Sequence, residues 1–506
     1  MVKDKQTHGL PSDIESCHKL IRELKEQILL LQEQVRQLNR TIYGRKSEKR
    51  KPEPENDILS NSEQSKLGIE AESMDIPVKE NKIKKHDGGG RLITASNNKI
   101  EEETKLYELN EEKRYCPECS TLRDVISTDT SYEQVFVPAK FIRVAHVKHT
   151  YACKSCKGQV VTAKRSEIPV IKKGACDVSL LAHIITSKFQ DHLPFYRLED
   201  VFKRGGANIA RSSMCRWLAE CAQQLKVIYG LIKERITSGD SIQADETPLK
   251  YLVKGMGKMG KALTGYIWTY LGGIHKQYVA YEFKIDRKGI NPSTFLLGYS
   301  NYLQTDAYTG YNMVVANEKI KHLYCMAHAR RYFEQSLDNH QALANEALDI
   351  IAELYKIENT IKDLTEEEKF NIRQREALPI LNRLQKWLSQ DRPDVIPKSS
   401  IAKAISYATK HFDKLKTYID KGFLAIDNNA AERSIRPIAV GRKNWLFLGH
   451  KNAGQTFSIL ASIVNTCKIN SVDTYAYSVD VLRRLKNNNY IDLNELLPDN
   501  WVKNQT

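Results

Sequence analysis

From Ile14 to Ile42, apolar residues recur in alternating steps of three and four: Ile14, Cys17, Ile21, Leu24, Ile28, Leu31, Val35, Leu38 and Ile42. This 3.5-residue period predicts a helix over 12–44, started and capped by Leu10-Pro11-Ser12-Asp13, with one continuous apolar seam. β-Branched side chains fill every a position and Leu fills d at 24, 31 and 38, a choice that favours two parallel strands. The alternative is an amphipathic helix packed on its own chain. The unbroken heptads favour self-association through residues 14–42, as a homodimer or higher oligomer.

After Tyr43 the periodicity stops at a basic run, Arg45-Lys46-Ser47-Glu48-Lys49-Arg50-Lys51. Residues 45–95 are polar, rich in Lys, Glu, Asn and Ser, and contain Gly88-Gly89-Gly90, the pattern of a flexible linker with no core of its own. Within 105–165 lie two CxxC pairs, Cys116/Cys119 and Cys153/Cys156, 33 residues apart. Two such turns can bring four thiolates onto one tetrahedral Zn²⁺ in a closed, structural site. The stretch 132–151 is rich in Val, Phe, Ile, Thr and Tyr, as the hairpin strands of a zinc ribbon are. A redox pair is the rival reading.

Residues 178–189, 194–202 and 208–225 have helical patterns, with a turn at Lys203-Arg204-Gly205-Gly206. Ile209, Trp217, Leu218 and Cys221 fall on one face, and Arg211, Ser212 and Arg216 on another. A glycine turn before a basic-faced helix suits a helix-turn-helix over 175–238, and an ordinary helical pair in a core has the same pattern.

Strand signals follow at 241–253, 263–271 and 277–283, read as an antiparallel meander. A further strand ends at Asp306, and another apolar piece, 322–326, runs into a helix. Helical periodicity then dominates 336–420, an insertion between 239–335 and 421–500. Asp427 can cap a helix that contains Glu432 and that Pro437 stops or bends. Two Asp at strand ends and a Glu on a later helix can converge on two Mg²⁺ (or Mn²⁺) ions, because hard cations want oxygen ligands. Each acid taken alone is as well explained as a cap or a surface charge.

The composition narrows the partners. With 77 Lys+Arg against 62 Asp+Glu, the net charge is +15, which suits either a polyanionic partner such as DNA or a solubilising surface. No apolar run approaches the roughly 20 residues of a membrane span, and the first residues lack an apolar signal core. The expectation is a cytoplasmic, nucleoid-associated protein with no membrane partner.

Several stretches together resemble the insertion sequence 66 family of bacterial transposases: ADETP at 244–248, TDAYTGYN at 305–312, CMAHARRYF at 325–333 and DNNAAERSIRPIAVGRKNWLFLG at 427–449. The heptad helix with YGRKSEK at 43–49 and the CPEC/CKSC pair are similar to that family's zipper and zinc-binding regions. The resemblance implies a multidomain α+β chain: coiled coil, zinc ribbon, helix-turn-helix-like region and a ribonuclease-H-like catalytic domain with a helical insertion. It implies that Asp245, Asp306 and Glu432 are the catalytic metal ligands, holding two ions. Glu246 and Asp427 are the rivals: a strand turns Glu246 away from Asp245's face, and capping ties Asp427 to local N–H groups. Cys325 and His328 match a Cys-x-x-His feature beside that site. Arg433, Arg436, Arg442 and Lys443, with Arg211 and Arg216, are candidate phosphate contacts, and Trp445 is either a base-stacking or a core aromatic. The implied activity is DNA transposition: binding of element ends and target DNA, phosphodiester hydrolysis, then strand transfer, with accessory proteins of the same element as possible partners. The alternatives are a DNA-binding regulator with an inactive catalytic fold and a nuclease that only hydrolyses.

Overall fold

The structure is a computed structural model that describes residues 14–43, 118, 120–122, 139–151, 160–164, 168–171, 176–253, 261–273, 277–316, 319–487 and 492–501. Lys49–Pro138 is a unit separate from the rest, and nearly all of it lies outside the described residues. Helix α1 spans Ile14–Tyr43. Its seam residues Ile21, Leu24, Ile28, Leu31 and Val35 are 47–59% exposed, so this chain's own core does not bury them. The side chains of Leu38 and Ile42 lie outside the described set.

The four CxxC cysteines also lie outside it. Of the expected hairpin 132–151, residues 139–149 form no strand, while Thr150–Tyr151 pairs antiparallel with Val161–Thr162. The strands that pair flank the second CxxC in sequence, and residues 132–138 of the expected hairpin lie outside the described residues. A Thr150–Thr162 hydroxyl contact of 3.0 Å bridges its strands. Phe141 packs edge-on against Phe202 at 5.4 Å, joining this region to the helices that follow.

Those helices are α2 (Val178–Phe189), α3 (Phe195–Arg204) and α4 (Arg211–Thr237). Gly206, at φ +85°, turns the chain between α3 and α4, a conformation that costs a residue with a Cβ more than glycine. Helix α4 continues well past the expected 225, because Ile228, Ile232 and Ile236 keep the helical spacing and are fully buried. It buries Met214, Trp217, Leu218 and Cys221 and leaves Arg211, Ser212 and Arg216 outside.

The sheet comprises β1 (Ser241–Val253), β2 (Lys261–Gly272), β3 (Tyr278–Lys284), β4 (Tyr302–Thr305) and β5 (Lys321–Tyr324), in the order β3-β2-β1-β4-β5. The first three form an antiparallel meander. Strand β4 joins β1 in parallel, and β5 joins β4 in parallel. A short strand, β6 (Phe447–Leu448), pairs parallel with the far end of β1. This is a mixed α/β architecture.

After β5 come α5 (Met326–Glu334), α6 (Gln341–Ile361), α7 (Glu366–Ile372), α8 (Leu378–Leu388) and α9 (Ser400–Lys410). All of these but α7 contribute to a core of their own, which Tyr302, Leu323 and Tyr324 extend from the sheet. At its centre Arg373, 2% exposed, sits in a π-helical turn. Its guanidinium donates to the carbonyls of Tyr418, Lys421, Gly422 and Leu424 (2.7–3.3 Å) and pairs with Glu358 at 2.7 Å. One buried cation thus fixes the chain that returns towards the sheet.

The last helices are α10 (Asn429–Trp445), α11 (Ala453–Ile469) and α12 (Thr474–Asn487). Pro437 does not end α10: the helix runs eight residues further. Pro437 costs the Arg433 carbonyl its N–H partner, and Arg433 is exposed, so water can replace that bond. Helix α11 lies against edge strand β3. The backbone N–H groups of Val279, Tyr281 and Phe283 donate to Thr466 (3.2 Å), Ser462 (2.8 Å) and Ser458 (2.8 Å) hydroxyls. The spacing of four puts these hydroxyls on one helix face, and every second N–H of β3 meets one. Gly454 permits the approach, since a Cβ there would come within 2.1 Å of Phe283. No helix among the described residues is long and apolar enough to cross a membrane.

Arg373→Met is expected to strand the Glu358 carboxylate and four carbonyls, costing about 3–5 kcal/mol in urea unfolding. Ser462→Ala, which removes one acceptor at the β3 edge, is expected to cost about 1–3 kcal/mol. Equal midpoints for wild type and Arg373→Met contradict the assignment of Arg373 as the tie of the return chain.

Candidate active site

The site starts from the register of two parallel strands. Ser241, Ile242 and Gln243 on β1 pair with Tyr302, Leu303 and Gln304 on β4. Asp245 and Asp306 each come two residues after this pairing, Asp245 within β1 on the face of Gln243 and Asp306 just past the end of β4. The charge of Asp306 bears on Asp245. Gln243 Nε2 donates to Gln304 Oε1 at 2.7 Å and to the Asp427 carbonyl at 3.1 Å. Gln243 Oε1 accepts from Ala431 N at 3.2 Å, and Gln304 Nε2 donates to the Ala425 carbonyl at 2.8 Å. Asn428 Nδ2 adds a bond to the Ala244 carbonyl at 3.0 Å. The segment 425–431 is thereby laid along β1 and β4, and Glu432 is the next residue, in the first turn of α10.

Each acid has a distinct setting. Asp245 Oδ1 accepts from Glu246 N at 2.8 Å, and Asp306 Oδ1 from Tyr308 N at 3.0 Å. Glu432 lies 3.8 Å from His328 Nε2 and 3.9 Å from Arg331. The two rivals are engaged elsewhere. The Glu246 side chain, 1% exposed, pairs with Arg287 and accepts from the Tyr311 hydroxyl at 3.0 Å. Asp427 accepts from Asn429 N at 3.1 Å, Asn429 Nδ2 at 2.6 Å and the Tyr355 hydroxyl at 3.0 Å. It thus ties down the start of α10 from the residue before the N-cap, Asn428.

Among the other sequence-derived candidates, Arg433 and Arg436 are exposed and line an open depression with Asn429 and Glu432. Lys443 is exposed too. Arg442 instead clamps β1, donating to Thr247 Oγ1 and the Pro248 carbonyl, both at 2.7 Å. Arg211 pairs with Glu199 at 3.1 Å, and Arg216 is exposed further along α4. Trp445 packs on Phe457 at 5.3 Å as a core aromatic, with Lys188 over its ring. The sequence reading missed Gln243, Gln304 and Arg287. A signal for the first two was present: Gln-x-Asp occurs at both 243–245 and 304–306. Arg287 lies over the Tyr308 ring at 3.6 Å and reaches the acids through Glu246.

Burial, and then the charge of Glu246 with those of Asp306 and Glu432, pushes the Asp245 carboxyl up to about 7, against the pull of the Glu246 N–H. Burial also raises Glu246, opposed by Arg287. Three or four carboxylates in a half-buried space repel one another, and a divalent cation relieves that repulsion. All the donors are oxygens, which fits Mg²⁺ or Mn²⁺. Asp245 binds its proton more tightly folded than unfolded, so the metal-free fold loses stability as pH rises from about 4 to about 7. Asp245→Asn in EDTA is therefore expected to raise the free energy of urea unfolding at pH 8, by at most about 4 kcal/mol, and to leave it unchanged at pH 4. The same difference at both pH values contradicts this electrostatic account.

Residues 173–456 match the transposase IS66 family, 113–157 the zinc-finger binding domain of transposase IS66, and 462–498 the IS66 C-terminal element. The zinc-finger match spans all four CxxC cysteines. An uncharacterized protein of Sinorhizobium fredii, y4jD, is 30% identical over 521 residues, covering 98% of each chain. A second from that organism, y4qI, is 31% identical over 383 residues, covering 73% of this chain and 70% of its own. A solved chain described as the Drosophila P element transposase strand transfer complex overlaps 63% of this chain and 94% of its own. Its TM-score is 0.24 and its identity 11%, too loose a likeness to bear on the reading. With more than half its length inside the first of these matches, the chain belongs to the IS66 family of transposases.

Proposed function

We propose that this protein is a DNA transposase whose catalytic carboxylates are Asp245, Asp306 and Glu432. The observation that supports it best is the β1–β4 register with the glutamine pair, since Asp245 and Asp306 each follow that pairing by two residues and Glu432 follows the segment the glutamines bind. A three-stranded meander followed by two parallel strands, in the order β3-β2-β1-β4-β5, is in keeping with a ribonuclease-H-like catalytic domain. The three carboxylates would hold two Mg²⁺ or Mn²⁺ ions, which when bound supply charge stabilisation to the attacking and leaving oxygens of a phosphodiester. In the first reaction a water oxygen attacks phosphorus at the element end and the P–O3′ bond breaks, freeing a 3′-OH. In the second, that 3′-oxygen attacks a target phosphodiester and displaces its 3′-oxygen, so no external energy source is consumed.

The remaining chain serves DNA capture in this reading. Arg433, Arg436 and Lys443 are exposed on α10, the helix that carries Glu432, and they hold phosphates there. Arg442, bound to β1, keeps α10 in place and is withdrawn from the phosphate contacts. Arg216, and Arg211 at the cost of its Glu199 pair, present a second basic face on α4. Cys116, Cys119, Cys153 and Cys156 hold a structural Zn²⁺ in the zinc-finger domain. The exposed seam of α1 pairs with a second copy, so that two element ends are held together.

The decisive experiment incubates the full chain with a labelled duplex of its element end, in Mg²⁺ or in EDTA. Mg²⁺-dependent nicking with a free 3′-OH is expected. Asp306→Ala and Glu432→Gln are each expected to lower its rate about a thousandfold or more, the worth of several kcal/mol of transition-state stabilisation, while still binding the duplex. Binding without cleavage by the wild-type chain, with the element's accessory proteins added, moves the reading to a DNA-binding regulator. Nicking with no joining to target DNA moves it to a hydrolytic nuclease. Separately, Ile28→Lys with Leu31→Lys is expected to convert a dimer into a monomer in analytical ultracentrifugation, by placing like charges in the a/d seam. Unchanged sedimentation rejects α1 as the pairing element.

A further inference from the structure

Among the described residues, the three His, Cys or acidic ligand atoms that lie within 4.8 Å of one another are those of Cys325, His328 and Glu432. Cys325 ends the segment after β5, at the N-cap of α5, and His328 lies one turn into that helix. Their i, i+3 spacing puts both on one helix face. Glu432 approaches from α10. The group is graded in access: Cys325 is fully buried, whereas the His328 and Glu432 side chains are 22% and 32% exposed. Buried sulfur thus forms the floor of the group and the other two donors form its mouth.

This donor set differs in kind from the three carboxylates. A thiolate and an imidazole with one carboxylate suit Zn²⁺ and fit Mg²⁺ poorly. Zinc bonds of about 2.0–2.3 Å place tetrahedral ligand atoms roughly 3.3–3.7 Å apart. His328 Nε2 and Glu432 Oε1 already stand 3.8 Å apart, and the three ligand atoms all lie within 4.8 Å of one another, so a contraction of about 1 Å closes the set. The backbone N–H of Asn428 donates to Cys325 Sγ at 3.1 Å, an outer contact of the kind that steadies a metal-bound thiolate. Three protein ligands leave the fourth position to water.

We propose that Cys325, His328 and Glu432 form a second zinc site, separate from the zinc finger, which by engaging Glu432 withdraws it from the carboxylate group and reversibly silences the enzyme. Binding replaces the thiol proton of Cys325, which leaves to solvent. The inhibitory half rests on the proposed role of Glu432; the zinc site itself does not. Free zinc then acts as an off-signal opposed by magnesium, through one glutamate that two ion types cannot share.

The test separates the halves. Full-length chain is equilibrated with excess Zn²⁺, desalted, and its zinc measured by mass spectrometry, alongside Cys325→Ser and His328→Ala. Two zinc ions per wild-type chain and one in each variant are expected. With Co²⁺ in place of zinc, the wild type is expected to gain thiolate-to-metal absorption in the near ultraviolet beyond that of Cys325→Ser. One zinc in all three proteins, or two in all three, overturns the site. His328→Ala changes a partly exposed residue, so its zinc content decides the site even if the Cys325→Ser chain fails to fold. In the second arm, Mg²⁺-supported nicking is titrated with Zn²⁺, and each protein is compared with its own zinc-free rate. The wild type is expected to lose at least tenfold at a zinc level where Cys325→Ser loses less than twofold. Equal inhibition overturns the off-signal. A wild type without nicking in Mg²⁺ alone counts against the carboxylate reading and leaves the zinc stoichiometry to decide the site.

Discussion

Everything at the centre of this protein depends on two amides that face each other across β1 and β4. Gln243 and Gln304 bond to one another and, between them, to the backbone at 425, 427 and 431. A buried amide that lacks partners is costly, and one that is fully paired specifies a single arrangement. These amides find their partners only when the return segment lies on the sheet at one register. That register places Glu432, the residue after the segment, next to β1, which carries Asp245, and β4, which Asp306 follows. The site is therefore fixed by neutral hydrogen bonds, not by attraction among its acids, which repel. Arg373 supports the same result from further back, by holding 418–424 as the chain leaves the helical insertion.

This division of labour explains a tension within the fold. Raising Asp245 towards neutrality costs stability in the metal-free chain, and the neighbouring carboxylates increase that cost. A fold can sustain such a crowd only if its scaffold is held by interactions that do not depend on charge state. The glutamine pair and the Asn428–Ala244 bond have that character. Glu246 is held in place by Arg287 and Tyr311, yet its charge raises Asp245 more than those of Asp306 and Glu432 do.

How much of this is legible in the sequence varies with the range of the interaction. The meander is readable because alternation and turn residues are local, and so are α2, α3 and the return helix. The expectation of two Asp at strand ends holds for Asp306, which follows β4, and fails for Asp245, which lies inside β1 because that strand runs on to Val253. The charges of Asp306 and Glu432 nevertheless act on Asp245. Pairing across 61 residues, from Gln243 to Gln304, leaves no local trace beyond the repeated Gln-x-Asp, and polar residues in a buried strand look like noise until their partners are known. Pro437 misleads for a related reason: its effect on a helix depends on whether the freed carbonyl faces water, which a linear pattern does not record. Arg442 looks like its basic neighbours on α10 and differs from them only in having Thr247 and Pro248 within reach.

The row of hydroxyls on α11 has a consequence beyond the stability of one chain. An open sheet edge is a template on which any extended segment can add a strand. At high local concentration such edges join chains to one another. With Ser458, Ser462 and Thr466 occupying the donors of β3, that side of the sheet offers no row of free N–H groups to a neighbour. Chains that come close to one another are thereby kept from fusing through this edge into β-linked aggregates.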